Sequence, residues 1–382
     1  MSGVEKKNTG WKNRIKKNGA VVAIVAVLLL SIIVGVVSNV WGGGKEISLD
    51  PNDLSGGGQQ IPQLSGNAPH GQIAVDYIQT LNDRHYDRFS FSYREMHTAA
   101  WLVETLLAMG YSKDQIEVQE FTLDEVWNET GVGMVMEIAF FLDSSPFLNL
   151  GTRSSRKSQN VILTVPGQSD EMMVVSAHYD SVMFPGASDN ASGVALLLES
   201  AQRMQNKDNY YTIVYAFFGA EEGGIIGASY YVNSLTQRQH DDIKFVINAD
   251  VLIEGPDLFY MAGYDNNGKP GANSITETWD SIARDFNARH GTSLTPWPEG
   301  VYGPSDQLAF LPWGHTSMFL MGVVAVDGWR DMQIDYAIME MARVLHSPLD
   351  DFYYINEKWP GEMEETMRVF SMFLEEMLLA EY

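Results

Sequence analysis

Through the middle of the chain, short runs rich in Val, Ile and Phe take turns with longer stretches whose apolar residues recur at helical spacing. Asn160–Val165, Met172–Ala177, Tyr211–Phe218, Lys244–Ala249 and Thr316–Gly322 read as strands. Ala191–Gln205, Gly224–Leu235 and Asn273–Arg289 read as helices between them. Ahead of this region, Gly71–Arg84 and Tyr93–Met109 are helical in pattern, the second stopping at Gly110. Ile116–Leu123 alternates like a strand, Met134–Leu142 is apolar and strand-like, and Asp143–Ser158 is irregular. Lys358–Glu381 reads as one Met-, Leu- and Phe-rich helix, with Met363, Met367, Met372 and Met377 as a core-facing stripe. Strands alternating with helices predict an α/β fold, its sheet covered by helices on both faces.

The first seventy residues are patterned differently. Residues 1–19 carry Lys6, Lys7, Lys12, Arg14, Lys16 and Lys17 against the single acid Glu5. No charge occurs from Asn18 to Gly44, and Ala20–Val37 is nearly all Ala, Val, Leu and Ile. Roughly 20 such residues cross the hydrocarbon layer of a bilayer. The run exceeds the ~7–15 apolar residues of a cleavable signal, and Val37-Ser38-Asn39-Val40-Trp41 lacks a small-residue cleavage pattern. A retained transmembrane helix over 20–41 is therefore expected, with secretion after signal cleavage as the alternative. Basic residues before the span hold the N-terminus in the cytoplasm and place the remainder outside. Residues 42–70, with two Gly triplets, Pro51 and Pro62, read as a flexible tether, and 71–382 as one domain.

Charge narrows the partners. Without residues 1–19 the chain has 19 bases against 48 acids, a net of −29. Nucleic acid would be repelled by such a surface. There is no Cys, which excludes disulfides, thiol catalysis and thiolate metal sites.

A relay of polar residues follows the apolar runs. His178 and Asp180 end the first, Asp189 sits in Gly186-Ala187-Ser188-Asp189-Asn190, and Glu221-Glu222 come after Phe218 and Gly219. Asp250 follows Val246-Ile247-Asn248-Ala249, and His346 opens His346-Ser347-Pro348-Leu349-Asp350. In α/β sheets, functional groups gather just past strand C-termini. His178, Glu221, Glu222 and Asp250 each fall within four residues of such an end. Two imidazoles with several carboxylates suit a pair of divalent metals ~3.5–4 Å apart, and predict a metal-dependent hydrolase. Residues i and i+2 on a strand end point the same way, so Asp180 can fix the His178 ring through its second nitrogen. His70, His85, His97, His240, His290 and His315 lack such partners and read as structural or surface residues.

These motifs, in this order, resemble the M28 family of di-zinc metallopeptidases over roughly residues 71–381. The resemblance implies a mixed, mainly parallel sheet of the zinc aminopeptidase type and two zinc ions per chain. It makes Asp189 the bridging ligand, followed by a cis peptide bond. His178 and Asp250 would bind one metal, Glu222 and His346 the other. Glu221 would be the general base beside a metal-bridging hydroxide, and Asp350 would support the ligands from behind. Two Zn²⁺ against Asp189, Glu222, Asp250 and one hydroxide give a neutral cluster. Tyr302, in Val301-Tyr302-Gly303-Pro304-Ser305-Asp306-Gln307, matches a Tyr that in some members donates to the oxyanion, and is equally readable as a packing residue. Gln307 departs from the family pattern, which has His there, and this puts a substrate contact at that position in doubt.

The implied activity is exopeptidase, foremost an aminopeptidase acting on peptides with a free N-terminus. Glutaminyl cyclases share the fold, but their Trp before the last His is Leu345 here. A non-catalytic, receptor-like ectodomain is the third reading, and the complete ligand set weighs against it. Protease added to intact cells, or to spheroplasts where an outer membrane exists, should digest the domain. Digestion only after lysis would reverse the orientation.

Overall fold

One eight-stranded sheet organises the described residues, in the order β1-β2-β4-β3-β5-β8-β6-β7. The computed structural model describes residues 68–122, 157–262, 273–296, 304–323 and 344–382, together with Pro62. The expected cytoplasmic segment 1–19, the membrane segment 20–41, the Met134–Leu142 strand and Tyr302 lie outside these residues. Among the described residues no helix is long and apolar enough to cross a membrane.

The strands are β1 (Ile116–Thr122), β2 (Lys157–Val165), β3 (Ser169–His178), β4 (Tyr211–Phe218), β5 (Ile243–Ala249), β6 (Asp257–Ala262), β7 (Thr295–Pro296) and β8 (Ser317–Val323). The central four, β4-β3-β5-β8, are mutually parallel. Antiparallel pairings join β1 to β2, β2 to β4 and β6 to β8. A mixed sheet with a parallel centre is thus observed, and β6 and β7 extend it beyond the five central strands legible in the pattern.

Alternation along β4 shows why the sheet is covered twice. Tyr211, Ile213, Tyr215 and Phe217 enter the main core, whereas Val214, Ala216 and Phe218 enter a second one. On the main side lie helices α1 (Gln72–Arg84), α3 (Gly193–Met204), α6 (Ser274–His290) and α9 (Glu362–Leu379). On the other, α4 (Ile226–Ser234) contributes Ala228, Tyr231 and Val232, and the short α7 (Gln307–Phe310) contributes Phe310. Helix α2 (Tyr93–Met109) packs Leu102 and Leu106 into the main core, and α5 (Gln237–Asp242) leads into β5. With both faces buried, strands read as nearly continuous apolar runs.

Two boundaries differ from expectation. Lys358–Glu381 is not one helix: α8 (Phe352–Lys358) ends there, and α9 starts after Gly361, whose φ of 80° turns the chain. Pro360 lacks an amide hydrogen and could not have continued α8. Met363, Met367 and Met377 are buried, as a core stripe requires. Residues 68–70, expected in the tether, are held to the fold. Arg203 Nη2 donates to Ala68 O at 3.3 Å and Pro69 O at 2.7 Å, and His70 Nδ1 meets Ser371 Oγ at 2.9 Å. The buried carboxylate of Glu199 anchors this entry, accepting from Gly71 N and Ala74 N at 2.8 Å each. An anion there satisfies otherwise free amides at the start of α1.

Helix α3 begins hard against the end of β5. A Cβ on Gly193 would run into the Ala249 carbonyl oxygen and the Asn190 side-chain oxygen, and Asn190 Nδ2 donates to that same carbonyl at 2.9 Å. Gly193→Ala should therefore cost at least the ~1–3 kcal/mol of overpacking, seen as a lower thermal midpoint. A midpoint equal to that of the parent would show that helix and strand can separate freely.

Candidate metal centre

Five of the sequence-nominated side chains converge on two groups that share one residue. His178, Asp189 and Asp250 form the first, and Asp189, Glu222 and His346 the second. His178 is the last residue of β3, Asp250 follows β5, and Glu222 lies in the turn after β4. Asp189 occupies the irregular turn Ala187–Ser192 that opens α3, and the Asp189–Asn190 peptide bond is cis.

The distances carry the argument. His178 Nε2 stands 3.0 Å from Asp189 Oδ1 and 3.3 Å from Asp250 Oδ1. His346 Nε2 stands 3.0 Å from Asp189 Oδ2 and 3.3 Å from Glu222 Oε2. The two oxygens of Asp189 thus face two different imidazoles. A tetrahedral ion with ligands at about 2.0–2.1 Å separates them by roughly 3.3 Å, so both nitrogen and oxygen sets fit one ion each. Glu222 Oε1 is buried without a hydrogen-bond partner, as a free ligand oxygen would be.

Asp180 and Asp350 support this cluster from behind. Asp180 Oδ1 lies 3.4 Å from His178 Nδ1, and its two oxygens accept from the amides of Glu221 at 3.0 Å and Glu222 at 3.2 Å. One carboxylate therefore orients the ring on β3 and the turn after β4. Asp350 accepts from Ser188 N at 2.6 Å and Asp189 N at 3.0 Å, so it holds the Asp189 backbone, not the His346 ring. Gln307 turns into the fold: Asn248 Nδ2 donates to Gln307 Oε1 at 3.0 Å and to Ser305 Oγ at 2.9 Å, and Asn248 Oδ1 accepts from Ser176 Oγ at 2.7 Å. The His-to-Gln departure belongs to this internal network. His85, His240 and His315 serve packing, His240 stacking on Trp313 at a 4.0 Å centroid distance.

Asp306 and Glu95 are among the buried acids that sequence reasoning missed. Asp306 is fully buried with both oxygens unpartnered; burial first, then nearby Asp250, Asp180 and Glu222, push its carboxyl well above the usual range, against the pull of His178. Glu95 accepts from Phe91 N at 2.6 Å, Ser158 Oγ at 2.8 Å and Ala220 N at 2.8 Å, fixing the residue before Glu221. Its signal was the Ser92-x-x-Glu95 spacing of a helix cap, although the carboxylate reaches past the cap.

Backbone strain gathers here. Ala220, Val251 and His346 have φ of 55°, 54° and 54°, each adjoining or being a nominated residue. Such left-handed non-glycine positions cost ~1–3 kcal/mol and cluster at functional sites.

Residues 160–371 match peptidase family M28, and the chain belongs to that family. An aminopeptidase of Pseudomonas aeruginosa is 31% identical over 256 residues, covering 63% of this chain and 46% of that protein. The matched segments span a quarter to just under half of the curated relatives' length. Among solved structures, a zinc aminopeptidase from Bacillus subtilis superposes with a TM-score of 0.59 at 16% identity, covering 84% of this chain and 96% of its own. A glutaminyl cyclase from Porphyromonas gingivalis gives 0.55 at 16%, covering 81% and 98%. At these identities both likenesses establish the fold.

Without metal the site holds protons instead. Burial opposes charge on His178 and His346, but the facing carboxylates, Asp250 for one and Glu222 for the other, raise both well above their ordinary value. Burial lifts Glu222 to about 6 and Asp350 to about 7. A metal must displace the imidazole protons. Apparent metal affinity should therefore rise with pH through neutrality, and titration calorimetry in buffers of different ionisation enthalpy should report proton release. Sign and source agree: raised groups bind more protons folded than unfolded, so the metal-free fold loses stability as pH rises through their folded pKa. An affinity independent of pH would sink this account.

Proposed function

We propose that this chain is a zinc aminopeptidase that removes N-terminal residues from peptides. The observation that carries the reading is Asp189, whose two oxygens each lie 3.0 Å from a different imidazole. His178, Asp250 and Oδ1 of Asp189 would hold one zinc, and Glu222, His346 and Oδ2 of Asp189 the second. The aminopeptidase name of the P. aeruginosa relative and the zinc of the B. subtilis structure support it.

Two zinc ions would supply the Lewis acidity that activates water and polarises the scissile carbonyl. Glu221 takes the proton of the attacking water and passes it to the leaving amine. In the metal-free site burial first, then Asp306, Glu222 and Asp250, raise its carboxyl well above the usual range, with His178 opposing. A carboxylate so placed accepts and keeps a proton that an exposed Glu would lose. Its direction is set by the backbone: Asp180 takes the amides of both Glu221 and Glu222, and consecutive side chains then diverge. Glu222 meets His346 while Glu221 is left for the substrate side. Carboxylates of the site hold the free α-amine of the peptide, and Tyr302 donates to the oxyanion. The domain sits outside the cytoplasm on an N-terminal membrane helix.

Glu221→Gln preserves shape but cannot take a proton. Hydrolysis of aminoacyl chromogenic substrates should fall by at least ~10²–10⁴-fold, with two zinc ions per chain retained by elemental analysis. Loss of one equivalent would exchange the roles of Glu221 and Glu222. A parent protein holding one zinc and forming pyroglutamate would instead be a cyclase.

A further inference from the structure

Arg88 is the one Arg or Lys among the buried described residues, and it is fully enclosed. It lies in the link between α1 and α2, outside the 160–371 segment that matches the family. Its guanidinium spends four donor contacts on main-chain carbonyls: Nε to Tyr179 at 2.7 Å, Nη1 to His85 at 2.9 Å and Pro185 at 2.7 Å, Nη2 to Gly186 at 3.1 Å. Three of those carbonyls bracket the loop that leaves His178 and delivers the chain to Asp189. The main chain repeats the clasp. Ser181 N donates to Arg88 O at 3.2 Å, Arg88 N to Ser181 Oγ at 3.1 Å, and Asp87 N to Phe184 O at 3.3 Å. Two residues on, Ser90 Oγ donates to Asp180 Oδ2 at 2.6 Å.

We propose that Arg88, with Ser90, is a positioning residue of the metal centre: it sets the spacing between the His178 and Asp189 ends of the loop and counters part of the buried negative charge. The inference rests on the reading of that site as metal-binding. Its geometry needs the guanidinium plane, because a single ammonium offers three donors from one point and cannot reach carbonyls at both ends of the loop. Gly186, at φ 57°, completes the fit, since a Cβ there would strike the Asp189 carbonyl oxygen and crowd Arg88 Nη2. Burial lowers Arg88 to about 10, against the upward pull of Asp350, Asp180, Asp189 and Glu222, so the group stays charged at neutral pH. A charge removed from water at such cost is retained where its partners are aligned to receive it.

The test uses the full chain stripped of metal, with Arg88→Lys and Ser90→Ala. Zinc affinity is measured by competition with a chromogenic chelator, and thermal midpoints are taken metal-free and zinc-saturated. Partners that orient metal ligands cost about 10–100-fold in affinity when removed. Arg88→Lys should lose that much zinc affinity, show a smaller zinc-induced rise in midpoint, and recover turnover in excess zinc with KM unchanged. Ser90→Ala should follow in the same direction with a smaller loss. Variants whose metal-free and zinc-saturated midpoints fall equally, at parental zinc affinity, would make the clasp a folding element only and overturn the proposal. Should Arg88→Lys not fold, Ser90→Ala decides alone, unchanged affinity counting against it. A parent that takes up no zinc would overturn the metal reading itself, and this inference with it.

Discussion

Negative charge buried at the ends of the parallel strands is the constraint around which this protein is built. Asp180, Asp189, Asp250, Asp306 and Asp350 are all buried in one region, with Glu221 and Glu222 beside them. Two like charges ~4 Å apart repel by about 4 kcal/mol at an effective dielectric of 20, so such a set cannot stay ionised without compensation. Two imidazoles, one guanidinium and a row of backbone amides provide part of it. The raised proton affinities of His178, His346 and Glu221 show that part is not enough. Divalent cations held between these groups would supply the rest, and the donor spacing suits them.

The sheet makes that concentration of charge tolerable. Its centre is packed on both faces by alternate side chains of the same strands, so the strand ends cannot drift apart to relieve repulsion. Three of the candidate ligands are attached to that frame by short levers. His178 closes β3, Asp250 follows β5 directly, and Glu222 sits behind the strained Ala220, itself pinned by Glu95. Rigid support of this kind keeps ligand atoms within the few tenths of an ångström that a metal site demands.

Support comes from far along the chain as well. Asp350 reaches back about 160 residues to the amides of Ser188 and Asp189, and Arg88 and Ser90 reach forward about 90 to the loop around Asp180. The candidate ligands and the groups that hold them therefore belong to different segments of the chain.

Sequence alone determined β2, β3, β4, β5 and β8 and the helices α3, α4 and α6, because runs buried on both faces are uniformly apolar and their period is plain. It also pointed to His178, Glu222 and Asp250, because polar residues just past strand ends are conspicuous; Asp189 and His346 took their roles from the family resemblance, and all five meet in the structure. The expected single helix Lys358–Glu381 failed at Trp359–Gly361, where Pro360 and a left-handed Gly361 carry no hydrophobic signature. Only the tertiary structure decided what Gln307 does, since an amide bonded to Asn248 and one facing a substrate look alike in a sequence. The same holds for Arg88, Glu95 and Asp306. A charged residue is read as solvated unless its surroundings are visible, and the partners of Arg88 and Glu95 lie up to 125 residues away.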